Sequence, residues 1–224
     1  MSNEIEAGQS SIEINGETGP YELARYIVEQ NPEIEYVYLR AYGFQPIVPS
    51  EGRRIDAKTE STEDKPVSRE FFLDESKYND YVNSLPPEAE LGLCSKVIMR
   101  DGSEMQIPMM DLQIEKSPEN LDFVVSRLNA KGINTGWLLE SGKSYHYYGI
   151  ESLTPEQWIK EFIANCLLTS DVRNRSQIIQ VVDARYIGHA LRRGTCCLRL
   201  TARNEKTFVP RVVYDLEKKV TFLS

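Results

Sequence analysis

Apolar positions along the chain change their spacing repeatedly, and each change marks an element. Leu23, Tyr26 and Ile27 recur at helical spacing over 20–30, with Pro20 in the first turn and Asn31-Pro32 as a stop. Residues 35–44, EYVYLRAYGF, are aromatic and β-branched and predict a strand. Residues 45–69 carry three prolines, many charges and few large apolar groups, which predicts a long flexible loop. A short helix is expected over 74–85, capped by Asp74 and followed by Pro86-Pro87. Strands over 91–100 and 104–115 flank Asp101-Gly102, a strong hairpin signal.

Ser117-Pro118-Glu119 opens a helix with the stripe Leu121, Val124, Val125 and Leu128, closed at Lys131-Gly132. A strand follows over 133–140. Thr154-Pro155-Glu156 opens another helix, with Trp158, Phe162, Cys166 and Leu167 on one face. Residues 178–183 read as a strand and 184–193 as a helical turn ending at Gly194. Strands over 196–202, 208–215 and 220–223 suggest a terminal meander. The sum is an α+β fold, a mixed or antiparallel sheet with flanking helices. It divides into an N-terminal α/β segment, 1–89, with the flexible loop 45–69, packed on a core domain, 90–224.

The chain has 224 residues, enough to bury a real core. Its formal net charge of -8 argues against a wholly basic nucleic-acid coat but leaves room for a local basic groove. No apolar run reaches the length of a membrane span, and the start, MSNEIEAGQSS, has no apolar signal core, so a cytoplasmic protein with no membrane partner is expected. The cysteines Cys94, Cys166, Cys196 and Cys197 make no C-x-x-C pair, and the histidines are His146 and His189, so a structural zinc site is not expected. Cys196 and Cys197 would face opposite sides of a strand as small hydrophobes. His189 suits a structural role.

The chemistry concentrates in 104–149. A first strand delivers Asp111 and Gln113, which share a face about 7 Å apart; Glu115 lies on that face about 13 Å from Asp111. A second strand ends in Ser141-Gly142-Lys143-Ser144-Tyr145-His146. Backbone N–H groups at Gly142, the Lys143 ammonium and the Ser144 hydroxyl are donors suited to anionic oxygen, and His146 falls on the same side as Ser144. Asp183 ends the apolar run Val181-Val182, where it suits either a site acid or the cap of the following turn. Residues 185–211 hold seven basic residues against one acid, Glu205, in an otherwise acidic chain. That suits a phosphate-backbone groove, although a solvated strand face explains part of it. Arg53-Arg54 suit a phosphate or simple solvation. A serine hydrolase lacks its G-x-S-x-G elbow, and a P-loop lacks its first glycine, since Trp137 stands there.

The order of these features resembles the catalytic core of the archaeo-eukaryotic primase superfamily, the primase-polymerases, over residues 90–215. The resemblance implies a metal-dependent nucleotidyltransferase that adds nucleotides to a strand on a single-stranded DNA or RNA template. It implies Asp111, Asp183 and Gln113 as the catalytic set, with Mg²⁺ or Mn²⁺ on Asp111 and Asp183 and Glu115 as a weaker ligand. Ser141, Lys143, Ser144, His146, Arg199 and Lys206 would bind the nucleoside triphosphate. Arg185, Arg192, Arg193 and Arg203 would track the template. Gln113 departs from the family's second acid, and the zinc module of many relatives is missing. A catalytically inactive nucleotide- or nucleic-acid-binding protein on the same scaffold is the alternative, and a metal-dependent phosphodiesterase or nuclease a third. A helicase or another replication or repair subunit is an expected partner.

Overall fold

Pro20 sets the first turn of α1 (Pro20–Gln30), and Leu23, Ala24, Ile27 and Val28 are its buried stripe. Each such side chain contributes about 1.5–3 kcal/mol when fully buried, so a four-residue stripe is enough to seat a helix of this length. The structure is a computed structural model and describes residues 12–45, 58–61, 63–174, 177–203 and 208–222. Arg53, Arg54, Glu205 and Lys206 lie outside the described residues.

The strand β1 (Ile34–Gln45) is the spine of a first sheet. Two short strands, β2 (Lys58–Ser61) and β3 (Lys65–Ser68), pair with its two halves. Both fall inside the stretch expected to be loop. Short lysine-bearing strands are common at sheet edges, and their charge hides them from the apolar pattern. The next helix was also not expected: α2 (Arg69–Leu73), where the Ser68 hydroxyl accepts from Phe71 N at 3.2 Å. The expected Asp74 cap is present on α3 (Glu75–Ser84), accepting from Lys77 N at 3.1 Å. The strand β4 (Ala89–Met99) pairs along β1, turns at Asp101-Gly102 and pairs with β5 (Glu104–Gln106).

The strand expected over 104–115 divides at Ile107-Pro108. Ile107 N donates to Ser95 O in the first sheet at 2.7 Å, whereas Gly149 N donates to Pro108 O in a second sheet at 2.7 Å. Proline has no N–H for a ladder, so the change of partner comes at a residue that could not continue the first one. The chain therefore enters the second sheet as β6 (Met109–Asp111). Helix α4 (Pro118–Asn129) follows, with Ser117 as its cap and Leu121, Val124 and Leu128 buried. Then come β7 (Trp137–Glu140) and β8 (Tyr145–Tyr148). The strand β7 is shorter than the expected 133–140 because Gly136 adopts φ +96° against Tyr148 O, which a Cβ would approach to 2.3 Å.

Thr154 and Gln157 form a capping box on α5 (Pro155–Gln157). The helix continues through a π-helical stretch, Trp158–Ile163, into α6 (Ala164–Leu167). A separate two-stranded ladder joins β9 (Asp171–Asn174) to β10 (Gln177–Ile179). Helix α7 (Ala184–Arg193) leads to β11 (Cys197–Arg199), β12 (Arg211–Asp215) and β13 (Val220–Thr221). These last three are not one meander. The strand β11 returns to the first sheet beside β4, and β12 and β13 complete the second in the order β13-β12-β7-β8-β6. Every ladder among the described residues is antiparallel, which makes the fold α+β. Among the described residues no helix is long and apolar enough to cross a membrane.

The second sheet separates two apolar cores. Met109, Trp137, Leu139 and Tyr148 join the first, with α1 and the first sheet. Met110, Leu138, Tyr145 and Tyr147 join the second, with α4, α7 and the π-helical stretch. The strict alternation assigns each residue of β6 and β8 to one side or the other.

Candidate functional site

On the first-core side of the second sheet, β6 runs Met109 then Asp111, and β8 runs Tyr148 then His146. The apolar face gives way to an acid and an imidazole at one end of the strands. Asp111 and His146 are register partners, and His146 Nε2 lies 3.7 Å from Asp111 Oδ1. The imidazole is 9% exposed and the carboxylate 42%, so the acid is at the mouth with the histidine behind it.

Asp183 reaches the same place from another element. An isolated antiparallel bridge pairs Leu112 with Val182, and Gln113 N donates to Val181 O at 2.8 Å. Leu112 and Val182 both point into the second core. Asp111 and Asp183 are the residues that flank this bridge, Asp183 at the point where the chain turns into α7. Asp183 also fills its alternative role: its Oδ1 accepts from Arg185 N at 2.8 Å as the cap of α7. One carboxylate oxygen is thus spent on the helix, and the second remains for the site. Tyr186 connects these parts. Its hydroxyl donates to Cys197 O at 3.0 Å and accepts from Cys197 N at 3.1 Å. Burial pushes its pKa well above the usual phenol range, and the nearby Cys196 and Asp111 push the same way. Nothing in its sequence context singled Tyr186 out.

Gln113 and Glu115 are exposed on alternate positions, with Leu112 and Ile114 buried between them. β6 ends at Asp111, however, and the chain bends at Ile114. The Glu115 carbonyl accepts from Asn120 Nδ2 at 2.7 Å at the start of α4. Among the described residues no three His, Cys, Asp or Glu side chains form a metal-binding cluster, so neither Glu115 nor His146 completes a three-ligand set with Asp111 and Asp183.

Ser141–Ser144 form the four-residue connection between β7 and β8. Ser141 N donates to Ser144 O at 2.9 Å, and the two hydroxyls are 3.2 Å apart. Gly142 has φ +108°, and a Cβ there would meet open space. The exposed Lys143 receives Lys116 N on its carbonyl at 2.9 Å.

The basic segment does not form one stripe. Arg199 is 8% exposed; its Nη1 donates to Phe208 O at 2.8 Å and Thr201 O at 3.4 Å, and its Nη2 to Ser141 O at 3.2 Å. It is a strut between β11 and the Ser141–Ser144 turn. Arg203 Nη2 donates to Val82 O at 2.7 Å, and its N–H donates to the buried Glu90. Arg211 pairs with Glu17 at 2.7 Å. Arg185, Arg192 and Arg193 are exposed on α7, which starts at Asp183. His189, expected to be structural, is exposed between them. Arg185, His189 and Arg192 are spaced four and three apart and so share one helix face.

A search of curated proteins and one of solved structures each return no match. A family model described as AEP-like, archaeo-eukaryotic primase 1D-like, matches residues 71–210. That span runs from α2 to the residue before β12 and contains Asp111, His146, Asp183 and Arg199, the residues brought together above. The chain belongs to the archaeo-eukaryotic primase 1D-like family.

Proposed function

We propose that the protein is a primase-polymerase-type nucleotidyltransferase, adding nucleotides to a strand on a single-stranded DNA or RNA template. The observation that carries this is the Leu112–Val182 bridge, which joins the segment after Asp111 to the segment before Asp183, with His146 the register partner of Asp111. Mg²⁺ is ordinarily bound through one or two carboxylates, with waters and substrate phosphates filling the shell, so a two-acid site fits Mg²⁺ or Mn²⁺. When bound, the cation supplies Lewis-acid stabilisation of charge on the transferring phosphate. Asp111 and the second oxygen of Asp183 are the residues to hold it. Gln113 adds at most a neutral carbonyl.

The Ser141–Ser144 turn, with its open Gly142 backbone and the Ser144 hydroxyl, provides donors for the triphosphate. An N–H of His146 adds a donor beside them. The exposed Arg185, Arg192 and Arg193 lie on the helix that Asp183 caps, and on this reading they would contact the template's phosphate backbone. A helicase or another replication or repair subunit would supply the template or tether the chain to it.

A second reading has one observation in its favour. Among the described residues no third acid joins Asp111 and Asp183 in a metal-binding cluster, and Asp183 already caps a helix. A non-catalytic nucleotide binder needs only the turn and His146. Incorporation of labelled nucleotide on a single-stranded template with Mn²⁺ separates the two. Incorporation that is lost in Asp111→Ala supports the transferase. Nucleotide binding without incorporation, weakened by His146→Ala, supports the binder, and the absence of both incorporation and binding would overturn both readings of the site.

A further inference from the structure

Cys94 and Cys197 face one another across the β4–β11 ladder. The bonds that flank them fix the kind of pair. Ser95 N donates to Cys196 O at 2.9 Å, and Leu200 N donates to Leu91 O at 2.7 Å. An antiparallel ladder alternates, so Leu93–Leu198 is a hydrogen-bonded pair and Cys94–Cys197 a non-hydrogen-bonded one. In that position the Cα atoms lie about 4.5 Å apart and the side chains approach most closely. A disulfide requires Cα atoms about 4.4–6.8 Å apart. The backbone already meets that requirement.

The side chains agree. The two residues are direct register partners, so their side chains leave the ladder on the same face. The Cys197 sulfur lies over Gly92, where a Cβ would come within 2.6 Å of it. The bare glycine makes room for that sulfur on the face it shares with Cys94. The other two cysteines belong elsewhere: Cys196, on the opposite face of the strand, and Cys166 are both in the second core.

We propose that Cys94 and Cys197 are an oxidation site, a cross-strand dithiol that a peroxide converts to an intramolecular disulfide. Cys197 is the entry point, because it is only half-buried and sits on an edge strand, whereas Cys94 is fully buried. Hydrogen bonding to Cys197 and burial also push the Cys94 thiol up, so it is the poorer nucleophile. The Cys197 thiolate attacks the peroxide O–O bond, giving a sulfenic acid and releasing hydroxide, which takes up the thiol proton as water. Cys94 sulfur then displaces the sulfenic oxygen, which leaves with the Cys94 proton as a second water. The S–S bond carries the two-electron oxidation, and the peroxide is reduced. The product clamps β11 onto β4, two residues before Arg199, the strut of the Ser141–Ser144 turn. The proposal is independent of the transferase reading.

The test treats the folded full chain with hydrogen peroxide in native buffer, then counts thiols and maps linked peptides. Reactive thiols, measured after unfolding, are expected to fall from four to two. A Cys94–Cys197 peptide pair should appear, and a dithiol reductant should reverse both changes. Cys94→Ser and Cys197→Ser should each prevent the cross-link. Four persisting thiols would overturn the proposal. So would a link confined to Cys166–Cys196, or oxidation of Cys197 to a sulfinic acid without a link.

Discussion

The guanidinium of Arg199 donates to the Ser141 carbonyl at 3.2 Å, so a buried cation fastens the turn that carries Ser144. The same group reaches the Phe208 and Thr201 carbonyls, and these use a fork that an ammonium lacks. Arg199→Lys is therefore expected to lower stability by about 1–3 kcal/mol, and Arg199→Ala by more, because carbonyls are left unsatisfied. Urea unfolding followed by circular dichroism measures both. A lysine variant as stable as the wild type would show that charge alone suffices there.

Asp183 has two jobs that one pair of variants can separate. Asparagine caps helices as well as aspartate does, but carries no charge. Asp183→Asn is expected to unfold at the wild-type urea concentration yet lose Mn²⁺-dependent incorporation. Asp183→Ala is expected to lose incorporation and also about 1 kcal/mol of stability. Full activity in Asp183→Asn would remove this residue from the cation site.

Arg40 and Asp64 form a two-point ion pair at 2.5 and 2.8 Å in the first sheet, outside the acids and basic residues picked from the sequence. Burial favours protonation of Asp64, but the Arg40 hydrogen bond and charge, with Cys94 and Arg193, hold its carboxyl below the usual carboxylate range. A depressed folded pKa gives stability that is present above the unfolded value, about 3.9, and lost as pH falls through the folded value. The stability difference between wild type and Asp64→Asn should be constant from neutral pH to about pH 5 and shrink below it. Urea midpoints of both proteins across that range provide the check.

Two glycines with positive φ should respond very differently to alanine. At Gly136 a Cβ would lie 2.3 Å from Tyr148 O, whereas at Gly142 it would meet nothing. Gly142→Ala is expected to cost about 1 kcal/mol of backbone strain. Gly136→Ala adds a clash with backbone and should cost several times more or prevent folding. Thermal unfolding of the two variants side by side tests the contrast.

The helices were legible because their signals are local. Pro20, Asp74, Ser117, Thr154 and Asp183 each stand at the start of the helix they were expected to open or cap. Sheet membership was not legible. The run 104–115 keeps one apolar rhythm while its hydrogen-bond partner changes at Pro108, and nothing in the rhythm records which strand lies alongside. For the same reason β11 looked continuous with the terminal strands, although it pairs with β4. Of the site, the order of Asp111, His146 and Asp183 was visible and the bridge that brings Asp183 to Asp111 was not. Arg199 was legible as a special residue from its place between Leu198 and Leu200, but its carbonyl partners come from 58 positions away and nearer segments, beyond any local pattern.

The switch at Ile107-Pro108 also sets how the molecule can open. Adjacent residues are bonded to different sheets, each at 2.7 Å. No length of chain lies between them to be drawn out, so the sheets cannot part at this point like jaws on a slack tether. Relative motion there is reduced to a twist about a single stiff joint, whose φ the proline ring fixes. The half-buried Asp111, three residues further on, is tied through this joint to both sheets.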